Sequence, residues 1–552
     1  MPLLSDSYTP KVITRAALSF AASILFLAAS CVARAQASEM PMTATVPAMV
    51  AHHQAEYIAA APGETPIRLV VSLPLRHEAE LDELLRDQIY NPASPMYRHY
   101  LSVAQFAAAF SPAESDILTT ARFFAARGLT VGELTPNHLL LNVTGPAATI
   151  ERVFNVRLNL YRHPTESRFF ISPDREPRLD LAVPLQQVIG LDNAVLPRPR
   201  FVREPDALAP RAGSGPGGQY IGSDMRTAYY PSGTLTGAGQ SVGLMELEGY
   251  NIADVQAFFA NGYGPANNVS VVGISTDGAP LKCSGNCDDS EQALDIEYAI
   301  SIAPGLSSVR VYVGRTAEDV LNRQASDNIS KILSTSWGWK KELATDDAIF
   351  KEFASQGQTN LTASGDYSSL QASGPWPEED ANIVAVGGTD VNTATPGGLW
   401  YSETGWAGSA GGPSTDKSIL IPSYQSPFIN ARNGGSKTLR NVPDIAANAN
   451  TDMEICADGT CSGSWGGTSF ASPMWAGIVA LADQQASADG KGPVGFINPA
   501  IYALAVGKRY TSLFHDEVEG QSGHFKCTTS YDLVTGLGSP KSAAFVDALA
   551  AY

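Results

Sequence analysis

Ser469 stands in the run Trp465-Gly466-Gly467-Thr468-Ser469-Phe470-Ala471-Ser472-Pro473, and an apolar stretch from Met474 to Ala482 follows. Glycines, then Thr-Ser, then a helix-like segment can present a nucleophilic hydroxyl. Glycine permits close backbone approach. A helix start offers free N–H groups and positive potential where an oxyanion develops. Read without that context, Ser469 would be an ordinary N-cap serine. A nucleophilic serine needs a base, most often histidine. No histidine occurs between His163 and His515, so the base must be something else.

Carboxylates are the substitute. Ser290 to Ala299 reads as helix, and Glu291 and Asp295, four residues apart, share one face. In isolation such a pair is usually a solvated helix face. Two carboxyls that close also titrate as a pair, with one proton held more tightly. A glutamate raised in this way can take a serine proton in acid, but serves poorly near neutrality. The expectation is a serine peptidase with an acid optimum.

Glu291-x-x-Leu294-Asp295, Ser364-Gly365-Asp366, Val386-Gly387-Gly388-Thr389 and Gly467-Thr468-Ser469-x-x-x-Pro473 together resemble the sedolisin family, particularly its kumamolisin-like branch. The resemblance spans nearly the whole chain. It implies Ser469 as nucleophile, Glu291 as base, Asp295 as the base's partner and Asp366 as the oxyanion-hole acid. A carboxyl donates a hydrogen bond only when protonated, which again points to acid. The resemblance extends to Glu246 and Trp337 as an outer part of the network, Trp337 having one N–H to give and no acceptor. It further implies one Ca²⁺ site, with side chains Asp516 and Asp532 and the carbonyls of Glu517, Thr528 and Ser530. Hard oxygen donors suit Ca²⁺. The family usually has glycine at the last two positions, so the loop geometry is in question. His515 and His524 lie downstream of the serine and off the pattern.

The elements that must position these residues read as α/β. Ser241–Met245, Val309–Val313, Ile332–Ser336, Asn360–Ala363 and Ile383–Val386 are candidate buried strands, with helices such as Ala253–Ala260 and Asp346–Gln356 between them. That alternation predicts a subtilisin-like doubly wound parallel sheet, with chemistry at the strands' carboxyl ends. Upstream, strands Ile67–Leu73, Leu139–Val143 and Leu158–Tyr161 and helices Glu78–Tyr90, Ala113–Arg127 and Ala147–Phe154 suggest an open α/β sandwich. The expected division is 1–35 signal peptide, 36–195 pro-domain, 196–218 processing linker and 219–552 peptidase domain. The linker is rich in proline and glycine and is expected to be exposed.

Lys11 and Arg15 before the apolar Ala16–Ala33, then Ala33-Arg34-Ala35, form an export signal pattern; Cys31 offers a weaker lipoprotein alternative. Cys283 with Cys287, and Cys456 with Cys461, suit small disulfides in an oxidising compartment. Zinc is the rival reading, but no histidine lies near either pair. Cys527 has no assignment. The 552 residues carry net charge −18, with 17% charged and 44% hydrophobic residues. That balance argues against nucleic acid as a partner. No further stretch is long and apolar enough to span a bilayer after signal removal. The expected partners are protein or peptide substrates and the chain's own pro-domain in cis. The expected activity is endopeptidase, with a tripeptidyl aminopeptidase as the alternative and an inactive surface-binding homologue as the rival from another class.

Overall fold

A computed structural model describes residues 45–204, 212–285, 287–370 and 376–552. The signal segment expected at 1–35 lies outside the described residues.

The catalytic half is built on one large sheet. Its strands lie in the order Ser270–Ser275, Ser308–Val313, Ser241–Glu246, Ile332–Thr335, Thr359–Ala363, Val384–Thr393 and Trp400–Gly405; Ile445–Asn448 also pairs with Val384–Thr393. All pairings are parallel except the last hairpin, where Val384–Thr393 meets Trp400–Gly405. Parallel sheets are covered on both faces, which is why these strands are near-continuous apolar runs. Val242, Leu244, Val309, Val311, Ile332, Leu333, Leu361 and Val384 are all fully buried. Ser241–Glu246 comes first in the chain yet lies inside the sheet. Two strands build outward on one side of it before the chain returns to add Ile332–Thr335 on the other. That reversal opens a crevice at the carboxyl ends of these two strands.

Two helices line the crevice. Ser290–Ile302 is buried at every residue, so it shows no amphipathic stripe. It packs against the long helix Thr468–Ala488. Gly477 permits the approach, since a Cβ there would stand 2.5 Å from the Ile302 Cβ.

The N-terminal half is antiparallel. Thr130–Val131, Leu140–Pro146, Pro66–Ser72 and Gln187–Ile189 form one sheet, and Glu56–Ala60, Leu158–Arg162 and Phe169–Pro173 a smaller one. Alternation along Pro66–Ser72 explains how this half docks. Leu69 and Val71 face its own core with Phe124, Ile150 and Phe154, while Val70 joins the core of the catalytic half. Polar contacts complete the junction. Asn137 Nδ2 donates to Glu352 Oε2 at 2.8 Å and to Asn322 Oδ1 at 2.7 Å. Arg68 Nη1 lies 2.5 Å from Asp319 Oδ2, and Lys351 Nζ lies 2.8 Å from Glu78 Oε1 and 3.0 Å from Asp82 Oδ1.

The expected helix Glu78–Tyr90 is α-helical over Glu78–Glu83 and turns to wider π pitch over Leu84–Ile89. The strand expected at Ile383–Val386 continues to Thr393, because its second half acquires the Trp400–Gly405 partner. The linker expected to be exposed is so only in part: Leu196, Arg198, Arg203 and Glu204 are exposed, whereas Arg200 is 3% exposed and its neighbours pair with the catalytic half on both sides. Residues 205–211 lie outside the described residues. Both expected disulfides, Cys283–Cys287 and Cys456–Cys461, are formed. Cys527 is free and buried; its sulfur fills the space where a Cβ at Gly405 would sit. Among the described residues no helix is long and apolar enough to cross a membrane.

Candidate active site

The crevice gathers residues from every part of the sheet. Glu246 ends its strand, Ser336 and Trp337 follow Ile332–Thr335, and Asp366 follows Thr359–Ala363. The helix Ser290–Ile302 brings Glu291 and Asp295, and the long helix opens with Thr468 and Ser469. All are buried: Ser469, Asp295 and Glu246 are at 0%, Glu291 at 2% and Asp366 at 6% exposure. The solvated-face reading of Glu291 and Asp295 is thereby excluded.

Ser469 Oγ donates to Glu291 Oε2 at 2.9 Å. Pro473, four residues on, has no N–H to give the Ser469 carbonyl, so the first turn keeps a free acceptor. The Ser336 hydroxyl lies 3.4 Å from that carbonyl and donates to Asp295 Oδ1 at 2.7 Å. Trp337 Nε1 donates to Glu246 Oε2 at 2.9 Å, as its single donor suggested.

One oxygen of each carboxyl, Glu246 Oε1, Glu291 Oε1 and Asp295 Oδ2, is buried with no N–H or hydroxyl donor. Leaving such an oxygen unmatched is costly, and protons shared among the carboxyls meet the need. Burial and the neighbouring Asp295 charge push Glu291 well above the carboxylate range. Burial, then Asp295, does the same to Glu246. Asp295 is pushed up to about 8 by burial, offset by hydrogen bonds from Ser336 and Glu246. Burial raises the proton affinity of all three, so the network holds protons.

Asp366 Oδ1 accepts from the Thr468 N–H at 2.8 Å and from Thr468 Oγ1 at 2.9 Å, which fixes the carboxyl beside the serine. Burial pushes it up to about 7. Gly467 has φ 115°, and a Cβ there would lie 2.5 Å from the Arg200 carbonyl oxygen and 2.8 Å from Asp366 Oδ2. The motif's second glycine is thus required twice, for its dihedral and for the space.

Ser336 escaped the sequence reading. It enters there only as the end of a candidate strand, and nothing local marks its hydroxyl as a partner of Asp295. Arg200 and Glu378 escaped for the same reason. His515 stacks on Trp400 with ring centroids 3.8 Å apart, and burial lowers its pKa to about 3, so it is a neutral packing residue.

At the C-terminal loop, Asp516 Oδ1 accepts from the Ser530 N–H at 2.9 Å, and Asp532 Oδ2 accepts from the Thr528 N–H at 3.0 Å. Ser530 adopts φ 69°, the conformation glycine would supply, whereas Thr528 lies outside the left-handed region. The turn therefore closes without the two glycines. Among the described residues no three His, Cys, Asp or Glu side chains converge as a metal cluster.

A doubly wound parallel sheet with a buried serine at a helix start, hydrogen-bonded to a buried carboxyl, is the arrangement of a subtilisin-like serine peptidase. Residues 53–193 match the pro-kumamolisin activation domain, and residues 267–493 the subtilase family. Kumamolisin of Bacillus sp. strain MN-32 is 30% identical over 526 residues, covering 88% of this chain and 92% of its own. Sedolisin of Pseudomonas sp. strain 101 is 27% identical over 544 residues, covering 89% of each. The solved structure of Pseudomonas sedolisin, a serine-carboxyl proteinase complexed with two molecules of pseudo-iodotyrostatin, superposes with TM-score 0.52 at 26% identity over 59% of this chain and 97% of that one. The chain belongs to the sedolisin–kumamolisin family: it is a serine-carboxyl peptidase with an N-terminal activation domain.

Proposed function

We propose that this protein is an exported zymogen of an acid-acting endopeptidase in which Ser469 attacks the peptide carbonyl and Glu291 takes the hydroxyl proton, returning it to the leaving amine. Asp295 holds Glu291 by sharing a proton, and Glu246 with Trp337 steadies Asp295 from behind. The Ser469 N–H and the protonated Asp366 hold the oxyanion. The observation that carries this is the 2.9 Å hydrogen bond from Ser469 Oγ to Glu291 Oε2 inside a cluster of carboxyls with raised proton affinity. Endopeptidase action is supported by the segment 198–203, which pairs with the catalytic half at both of its ends. A digest of intact denatured protein, followed from strongly acid to mildly alkaline pH, tests the reading. Internal cuts peaking in acid support it; successive tripeptides would mean the exopeptidase alternative.

Asp366 should set the alkaline limb. Held at about 7, it donates below that pH and cannot above it, so activity falls as pH rises through this value. Asparagine keeps the acceptor for Thr468 and donates at any pH. Asp366→Asn should therefore move the limb upward by about one unit, to where Asp295, at about 8, loses its proton. An unmoved limb in the kcat/KM profile would remove Asp366 from the oxyanion hole.

The division we propose is signal 1–35, pro-domain 36–195, linker 196–218 and peptidase 219–552. Release of the pro-domain should be acid-triggered. Lys351 is paired with Glu78 and Asp82, and Arg68 with Asp319, across the junction. Ion pairs of this kind need a charged carboxylate, and acid removes that charge. Mature enzyme, followed by gel, should appear at least about tenfold faster at pH 4 than at pH 7. Equal rates would exclude the trigger.

We also propose one Ca²⁺ held by the carboxylates of Asp516 and Asp532 and the carbonyls of Glu517, Thr528 and Ser530. The all-oxygen donor set suits a hard cation, and bound Ca²⁺ would stiffen the loop. Titration calorimetry should give about one Ca²⁺ per chain. Chelation should lower Tm by several degrees, as expected for a ligand present at about a hundred times its Kd. Asp532→Asn should show neither effect; wild-type enzyme indifferent to chelator would exclude the site.

A further inference from the structure

The segment 198–203 is laid through the active site as a substrate would be. Before the serine, Arg198 pairs with Gly338 and Pro199 with Trp337; after it, Val202 pairs with Gly466 and Arg203 with Trp465, both antiparallel. Between these pairings the Arg200 N–H donates to the Ser336 carbonyl at 2.9 Å and lies 3.1 Å from Glu291 Oε2. The Ser469 N–H donates to the Arg200 carbonyl oxygen at 2.9 Å. The carbonyl held by the serine's own amide, beside the serine's own base, is that of Arg200.

Each side of this carbonyl has a built receptor. The Arg200 side chain is buried, and its Nη2 lies 3.0 Å from Glu378 Oε2, itself 1% exposed. Gly338 floors the pocket, where a Cβ would come within 2.5 Å of the same Nη2. On the other side Phe201 meets Trp465 edge to face at 5.3 Å. The Arg203 guanidinium stands over the same ring at 4.6 Å. Alternation in an extended strand sends residues 201 and 203 to one face, so a single tryptophan serves both.

We propose that Arg200–Phe201 is the bond this chain cuts in itself on activation, and that Glu378 and Trp465 select the sequence the mature cleft accepts: arginine before the cut, an aromatic residue after it, and a basic residue two further on. The proposal rests on the Ser469–Glu291 reading above. The step balances as acyl transfer. Ser469 Oγ bonds to the Arg200 carbonyl carbon as its proton passes to Glu291. The bond to the Phe201 nitrogen breaks and that nitrogen takes the proton, and water then frees the Arg200 carboxylate and restores Ser469. A guanidinium gives Glu378 a paired donor, whereas an apolar side chain would bury that carboxyl unmatched, which is how a polar pocket rejects the wrong residue. Trp465 offers ring area to Phe201 and its π face to Arg203.

The full chain is shifted to acid and sampled at short times by N-terminal sequencing. The first new N-terminus should be Phe201. A quenched fluorescent peptide with the sequence of residues 196–204 is then compared with versions carrying leucine at the arginine position 200 or alanine at the phenylalanine position 201. Each change should cost at least about tenfold in kcat/KM. Glu378→Gln should erase most of the arginine preference and leave the phenylalanine preference. Trp465→Ala should do the reverse. The wild-type measurements need neither variant to fold. Vigorous proteolysis with a different first terminus, or with no arginine preference, overturns the proposal while leaving the catalytic reading intact. A wild type that cuts nothing at any pH overturns both.

Discussion

Ser469→Ala should leave no measurable proteolysis at any pH, a loss on the order of 10⁶ in kcat, the scale for removing a serine nucleophile. The substitution removes only a hydroxyl from a site where every neighbour is held by other bonds. The Ser469 N–H keeps the Arg200 carbonyl, Asp366 keeps Thr468, and Trp337 keeps Glu246. The variant should therefore fold and accumulate as the uncut chain with its activation domain docked. Intact mass after acid incubation measures this. A Ser469→Ala chain that still matured without added protease would mean that another group performs the chemistry.

Glu291→Gln should lower kcat on a peptide substrate by about 10³- to 10⁴-fold with little change in KM, the range expected for losing a general base. Glutamine has the same shape and keeps an oxygen for the Ser469 hydroxyl and the Arg200 N–H. It cannot take a proton. The pH profile carries the sharper information. A base needs room for the incoming proton, so the wild type works where the Glu246, Glu291 and Asp295 cluster holds some but not all of its protons, and burial raises all three. With Glu291 neutralised, the residual rate should lose the acid optimum that the cluster imposes. A variant that keeps most of its activity, or an unaltered pH profile, would transfer the base to Asp295 or to a group outside the cluster. The two substitutions together should cost little more than Ser469→Ala alone, because the two residues act as one unit.

Much of this was legible because the signals are local. The Gly466-Gly467-Thr468-Ser469 turn and the apolar run after it are read from one short stretch of chain. The spacing of Glu291 and Asp295 puts both on one turn of helix. Runs such as Ser241–Met245 and Val309–Val313 read as strands buried on both faces. No histidine lies between His163 and His515, so the ordinary base is missing from the stretch that leads to the serine.

The chain alone thus makes the candidate groups and the elements that carry them legible. Tertiary structure alone decided who meets whom. Ser469 and Glu291 stand 178 residues apart, and only the reversal in strand order brings them within a hydrogen bond. The helix Ser290–Ile302 is buried on all sides, so no amphipathic pattern could tell its catalytic face from a solvated one. Ser336 and Glu378 matter through partners from other segments, and neither has a local signature. The proline-rich stretch around Arg200 reads as exposed because its own composition cannot form a core. Arg200 is nevertheless buried, because the crevice presents backbone edges at Trp337–Gly338 and Trp465–Gly466 and an extended strand pairs with both. Local chemistry is written in residue types and their spacing; burial, proton sharing and register depend on long-range pairing, which the packed fold settles.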